Sequence, residues 1–221
     1  MRLFEDSEVG ESGGDGVECV GCLLGVFAAG DDGFAAAEEE FVDALVAEAE
    51  SIEIGPGLDA EMGPQVSESE QTSTLDYVDV ASSEGAALAT GGRVPPGLED
   101  GFFVEPTVFT DVENDMRITQ EEVFGPVVAV IEVSDFDEGL AVANDVEYGL
   151  SASVVTNDHS QANRFIDESE AGVVKVNEKT TGLELHVPFG GFKRSSSETW
   201  REQGDAGIDF YTISKTVYEN Y

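Results

Sequence analysis

Residues 127–131, Val-Val-Ala-Val-Ile, form an unbroken apolar run entered through Gly125-Pro126. A strand with one wet face alternates polar and apolar residues, so a short continuous run is the mark of a strand buried on both faces. The pattern then repeats. Ser134 is placed to cap a helix carrying Phe136, Leu140, Val142 and Ala143. Leu150 to Thr156 reads as a second strand, Ser160 to Glu168 as a helix, and Gly172 to Val176 as a third strand. Strand, helix, strand, helix, strand at this spacing requires crossover connections. The expected fold is α/β, an open, mainly parallel sheet flanked by helices.

Upstream, Phe34, Phe41, Val42, Leu45, Val46, Ala49 and Ile52 recur at three- and four-residue intervals, which predicts an amphipathic helix ended by Gly55-Pro56-Gly57. Ser67 with Glu70 is a capping box for another helix carrying Leu75, Val78 and Ala81 and stopped at Gly85. Gly91 to Gly97 is a Gly/Pro loop. Phe102 to Phe109 reads as a strand, and Pro106 within it predicts an edge position. Beyond Asn177 come an irregular loop, the turn Pro188-Phe189-Gly190-Gly191, and an apolar strand from Ile208 to Tyr218. Three regions are expected: residues 1–33, Gly- and acid-rich, as a poorly structured or degraded remnant; 34–207 as the α/β domain; and 208–221 as a C-terminal strand.

Charge narrows the function. Asp and Glu number 47 against 10 Lys and Arg, a formal net charge of −37. Binding to nucleic acid or to an anionic membrane needs Lys and Arg facing phosphates, so both are excluded as partners. The acids are interleaved with apolar residues, and 41% of the chain is hydrophobic, which fits a folded acidic surface rather than a disordered tail. Such a surface repels itself until salt screens it, and it is read as adaptation to concentrated salt. No stretch has the length of a membrane span, and the N-terminus has no signal-peptide pattern, so a soluble, cytoplasmic protein is expected. Cys19 and Cys22 are the only cysteines, with His159 and His186 far along the chain. As Cys-x-x-Cys they could form a redox pair or half a metal site, but a closed zinc site has no local support.

Four segments stand in one order: Glu105-Pro106-Thr107-Val108; Gln120-Glu121-Glu122-Val123-Phe124-Gly125-Pro126; Asn144-Asp145-Val146-Glu147-Tyr148-Gly149-Leu150-Ser151-Ala152; and Val187-Pro188-Phe189-Gly190-Gly191-Phe192-Lys193. Together they resemble the C-terminal, catalytic-domain half of the aldehyde dehydrogenase superfamily, from about Phe41 to Tyr221. Thr181-Gly182-Leu183-Glu184-Leu185-His186, Ser195-Ser196-Ser197 and Arg201-Glu202-Gln203-Gly204 are similar to the 2-oxoglutarate semialdehyde (2,5-dioxopentanoate) dehydrogenases. The resemblance implies oxidation of an aldehyde, here a carboxylate-bearing semialdehyde, to the acid with NAD or NADP. It also implies that 208–221 is a protruding oligomerisation strand, giving a homo-oligomer or association with a full-length relative.

That chemistry needs a thiolate to attack the aldehyde carbon, donors for the oxyanion, a dinucleotide site and a base that activates water. By resemblance, Glu122 hydrogen-bonds the nicotinamide ribose hydroxyls and Phe124 packs beside the ring; the plain alternative is two more solvated acids. Phe189 and the loop 178–187 line the aldehyde entrance, or form only a Gly-rich hairpin. Cys19, in Gly16-Val17-Glu18-Cys19, is the counterpart of the nucleophile, although Val17 and Leu23 depart from the family's pattern. His186 is expected to be a loop residue, and Lys193 and Arg194 to be in salt bridges, with an anionic substrate as the alternative partner for one of them. Only 18 residues precede Cys19, where the family has a cofactor-binding domain. The competing expectation is therefore a truncated, non-catalytic remnant or partner subunit, with the lone chain inactive. A ligand-binding α/β domain that keeps the Glu122 contact is a third reading.

Overall fold

The computed structural model describes residues 14–20, 24–29, 34–182, 184–196 and 201–221. In chain order the elements are β1 (Gly14–Val20), β2 (Leu24–Ala29), α1 (Phe34–Ser51), α2 (Glu68–Glu84), β3 (Ala87–Thr90), β4 (Thr107–Thr110), α3 (Arg117–Gln120), β5 (Val127–Val133), α4 (Phe136–Asn144), β6 (Tyr148–Gly149), β7 (Ser151–Val155), α5 (His159–Glu168), β8 (Val173–Val176), β9 (Phe192–Lys193) and α6 (Gly204–Tyr211). Seven strands form one sheet in the order β3-β4-β5-β2-β1-β7-β8, and β6 with β9 forms a separate two-stranded ribbon.

β5 is parallel to both β2 and β4, and β7 is parallel to β8. β1 is antiparallel to both β2 and β7, which makes β2 and β7 co-directional. β4, β5, β2, β7 and β8 therefore all point one way, with β1 and β3 reversed. The expected mainly parallel α/β sheet is present, with one reversed strand inserted between its two parallel halves.

The apolar run of β5 explains itself here. Val127, Ala129, Ile131 and Val133 join a large core with Val78 and Ala81 of α2, Phe109 of β4, Phe136 and Leu140 of α4, Ala152 and Val154 of β7, and Phe165 of α5. Val130 points the other way, into a smaller core with Val108 and the α1 residues Phe41, Val42, Leu45, Val46 and Ala49. Both faces of β5 are covered, so no position on it could be left polar toward water except Glu132.

The caps fix the helix ends. Ser67 Oγ accepts from Glu70 N at 3.3 Å, and Gly85, at φ 113°, closes α2 in the left-handed conformation. For α4 the cap is Asp135 rather than the expected Ser134. Asp135 Oδ1 accepts from Glu138 N at 2.9 Å, while Glu138 Oε2 reaches back to Ser134 N and Oγ. Those bonds to Ser134 hold the Glu138 carboxyl below its usual range.

Three expectations are corrected. Residues 1–33 do not wholly form an unstructured remnant, because β1 and β2 pair as a hairpin in the middle of the sheet. Glycine and acid obscure their alternation, and their stabilising partners, β5 and β7, lie far along the chain. The strand containing Phe102 to Phe109 is shorter and interior: β4 begins at Thr107, after Pro106, so the missing N–H falls outside the ladder and β3 takes the edge. The expected C-terminal strand from Ile208 is instead helix α6 up to Tyr211, and residues 212–221 pair with no strand among the described residues. A short apolar run suits helix or strand equally, and without a partner ladder the strand has nothing to bond to.

Candidate active site

Five strands begin at one edge of the sheet, and the expected site residues gather at that edge. The loop 121–126 enters β5, and Gly172 enters β8. The Cβ of any other residue at Gly172 would lie 1.9 Å from the carbonyl oxygen of Gly190, so glycine alone lets the Phe189-Gly190 turn approach. Phe189 is held there by a pair of backbone bonds to Glu202, at 2.7 and 2.6 Å, and is half-buried. Reversed β1 ends at the same edge. Cys19, its penultimate residue, lies in one row with Phe109, Ala129, Leu24, Ala152 and Val174 across the sheet. Cys22 lies outside the described residues.

The two neighbouring acids before β5 have different environments. Glu121 receives Arg117 Nε at 2.8 Å, Arg117 Nη2 at 2.7 Å and the Tyr77 hydroxyl at 2.8 Å. The Arg117 guanidinium, and then the Tyr77 hydroxyl, hold the Glu121 carboxyl down to about 2. Arg117 also lies over the Tyr77 ring, 5.6 Å from its centroid. Two residues beyond Val123, Gly125 is pressed against Thr74 of α2: a Cβ there would sit 2.5 Å from Thr74 Cγ2 and Oγ1. With both ends pinned to α2, the loop presents Glu122 and Phe124 outward. Glu122 is exposed and has no hydrogen-bond or ion-pair partner among the described residues. Phe124 is 68% exposed, an unusual position for so large an apolar ring. An ionised carboxylate with free lone pairs can accept from two vicinal hydroxyls, and an exposed ring can cover a planar group. This pair fits the ribose and nicotinamide of a dinucleotide.

Opposite this loop, the chain leaving β8 doubles back as a strap. Asn177, at φ 55°, pairs its side-chain amide with Thr156: Oδ1 accepts from Thr156 N at 2.9 Å and Nδ2 donates to Thr156 O at 3.0 Å. The strap then crosses β7 toward the site edge. Ser153 Oγ donates to Glu178 O at 2.6 Å, and Ser151 Oγ to Thr180 O at 3.4 Å. Lys175 Nζ donates to the carbonyl oxygens of Thr181 and Gly182, each at 2.9 Å. His186 is exposed, with Nδ1 3.4 Å from Glu184, and serves as a loop residue. Lys193 is a brace: it pairs with Glu170 at 2.7 Å and donates to the carbonyls of Asn144 and Val146. Arg194 pairs with Glu147.

The Arg117–Glu121 spacing of four residues could have revealed the loop clamp from sequence alone. Tyr77, Thr74 and the strap fasteners carry no local signal. Among the described residues no cluster of three or more metal-ligating side chains occurs, and no helix is long and apolar enough to cross a membrane.

The aldehyde dehydrogenase family model matches residues 35–217. Cys19 precedes the matched stretch. The chain is 77% identical over 185 residues to the alpha-ketoglutarate semialdehyde dehydrogenase of Haloferax volcanii, covering 83% of this chain and 38% of that protein. It is 44% identical over 183 residues to the 2,5-dioxopentanoate dehydrogenase of Saccharolobus solfataricus, covering 82% and 38%. Among solved structures it is similar to the betaine aldehyde dehydrogenase of Staphylococcus aureus crystallised with NAD+. The TM-score is 0.78 at 36% identity, over 86% of this chain and 37% of that one. The chain thus spans 38% of the length of these curated relatives. With the family match covering most of its residues, the chain belongs to the aldehyde dehydrogenase family.

Proposed function

We propose that this chain is the catalytic-domain portion of an NAD(P)-dependent dehydrogenase that oxidises a carboxylate-bearing semialdehyde to its acid. The observation that carries the reading is the division of labour in Glu121-Glu122-Val123-Phe124. One acid is fixed in a clamp, while the next stands free beside an exposed aromatic ring. In this reading Glu122 accepts from the ribose hydroxyls and Phe124 covers the nicotinamide, which fixes how the cofactor lies against the sheet edge. NAD(P)+ would supply the hydride acceptor. Phe189 lines the aldehyde pocket. Cys19, at the same edge, is the counterpart of the nucleophile. The semialdehyde class rests on the 77% and 44% identities to proteins that carry those names. We place the protein in a high-salt cytoplasm, in keeping with the net charge of −37. We also assign it a homo-oligomeric state built on the exposed apolar residues Ile213, Val217, Tyr218 and Tyr221.

The test is NAD(P)H formation from 2-oxoglutarate semialdehyde in molar potassium chloride. The chain is assayed alone and mixed with the remaining portion of a semialdehyde dehydrogenase relative. Turnover is expected in the mixture. Replacing Glu122 by Gln removes a charge-assisted acceptor and raises the KM for NAD(P)+ by about tenfold. An unchanged cofactor KM in Glu122→Gln would remove the cofactor assignment. No turnover in any mixture would favour a non-catalytic partner role.

A further inference from the structure

Carboxylates outnumber cations 47 to 10 in this chain, so a positive charge left without one calls for a reason. Arg93, Arg117, Arg164, Lys193 and Arg194 each pair with a Glu or Asp. Among the described residues Lys175 pairs with none, although it lies on a sheet strand rather than in a tail. An ammonium has three N–H donors. Two of them hold the carbonyls of Thr181 and Gly182, and the third has no protein acceptor among the described residues.

Arg201 and Lys215 also make no ion pair among the described residues, and both differ in kind. Arg201 stacks its guanidinium 4.8 Å over the Phe192 ring and buries Nη1. Lys215 lies in the exposed segment after α6. Lys175 is placed otherwise. Its neighbours Val174 and Val176 pack against the main core, so by strand alternation Lys175 stands on the opposite face, the one the strap covers. There Ser151 and Ser153, its cross-strand neighbours' side, use their hydroxyls on the strap's carbonyls. The Lys175 ammonium keeps one donor unused among the described residues, and the bonds it makes are exposed to solvent.

We propose that Lys175 binds the carboxylate of the substrate, the end remote from the aldehyde; this rests on the semialdehyde reading above. The Thr181 and Gly182 carbonyls hold the ammonium in place before substrate arrives, so little side-chain freedom is lost on binding. A carboxylate approaching a chain of charge −37 is repelled at a distance. In molar salt that repulsion is screened within roughly 3 Å, and a direct charge-assisted hydrogen bond then decides which aldehydes are held. Lys175 thereby selects semialdehydes bearing an acid over neutral aldehydes of the same length.

The experiment is an NMR titration of the isotope-labelled 221-residue chain in molar potassium chloride, with 2-oxoglutarate and, as a neutral control, pentan-2-one. Wild type, Lys175→Met and Lys175→Arg are compared after thermal melts have confirmed equal folding. The expected result is that 2-oxoglutarate shifts the backbone signals of residues 175–182. Its Kd weakens by about tenfold in Lys175→Met and is largely restored in Lys175→Arg, while pentan-2-one is unaffected. Equal 2-oxoglutarate binding in Lys175→Met, shifts mapping elsewhere, or no binding to the wild type would each overturn the assignment. None of these would touch the oxidation assay, which judges the aldehyde reading separately.

Discussion

The loop entering β5 and the strap leaving β8 border the same edge of the sheet, and they are fastened by opposite means. The β5 loop is held side chain to side chain, through Arg117, Tyr77 and Glu121 and through Thr74 against Gly125. The strap is held side chain to main chain: Ser151, Ser153 and Lys175 all donate to its carbonyls, and Asn177 pairs with the backbone of Thr156. The first kind of fastening depends on which residues occupy the loop. Beyond Asn177, the second uses the strap's main-chain carbonyls as acceptors. The strap's path beyond Asn177 is thus set through its main chain, whereas the path of the β5 loop depends on the side chains of Arg117, Tyr77 and Glu121.

Salt should give the largest effect, acting on both regions together. The net charge of −37 repels itself over about 30 Å at 0.01 M ionic strength and only about 3 Å at 1 M. Circular dichroism melts across potassium chloride concentrations should show the fold lost on dilution, and a salt-independent melt would break the halophilic reading.

Next come the two glycines. Gly172→Ala drives a Cβ into the Gly190 carbonyl, a backbone atom that cannot swing aside, and should cost roughly 1–3 kcal/mol or more in denaturant titration. Gly125→Ala meets only the Thr74 side chain, which can turn, so its cost should be clearly smaller. Equal costs would mean that the two regions are held alike.

At the strap's origin, Asn177→Ala loses both bonds to Thr156 and the left-handed tolerance of Asn, for about 1–3 kcal/mol. Asn177→Gly keeps the backbone angle and loses only the bonds. Hydrogen exchange of residues 178–182 in the two variants separates these contributions.

The smallest effect concerns acid. Glu121 has a folded pKa depressed to about 2 from 4.5, so its clamp stabilises the fold fully above pH 4.5. That stabilisation is lost as pH falls toward 2. With the carboxylate 41% exposed, solvent screening keeps it below about 1 kcal/mol. Glu121→Gln should flatten this part of the acid limb, and an unchanged limb would show that the clamp adds nothing.

Legibility in the sequence followed the range of the interaction. α1, α2 and the alternation from β5 to β8 were readable because periodicity and caps such as Ser67 and Gly85 are local. The β1–β2 hairpin was not, because Gly16 pairs with Val155 across most of the chain. At the site, Glu122 and Phe124 were visible as part of a motif. Glu121's clamp depends on Tyr77, 44 residues away. Ser151, Ser153 and Lys175 look like ordinary polar positions of strands until the strap is laid over them.

The reversed strand β1 also sets a timetable. Its hairpin with β2 ends at Ala29, while the strands that complete its two flanks, β5 and β7, end at Val133 and Val155. At ribosomal speeds of about 5–20 residues per second, the outer ladders of the hairpin wait roughly 5–25 s for their partners. Throughout that wait, two rows of unpaired amides and carbonyls can be taken by the hairpin of a neighbouring nascent chain. Slower initiation, which spaces nascent chains apart on the message, should then raise the yield of soluble protein.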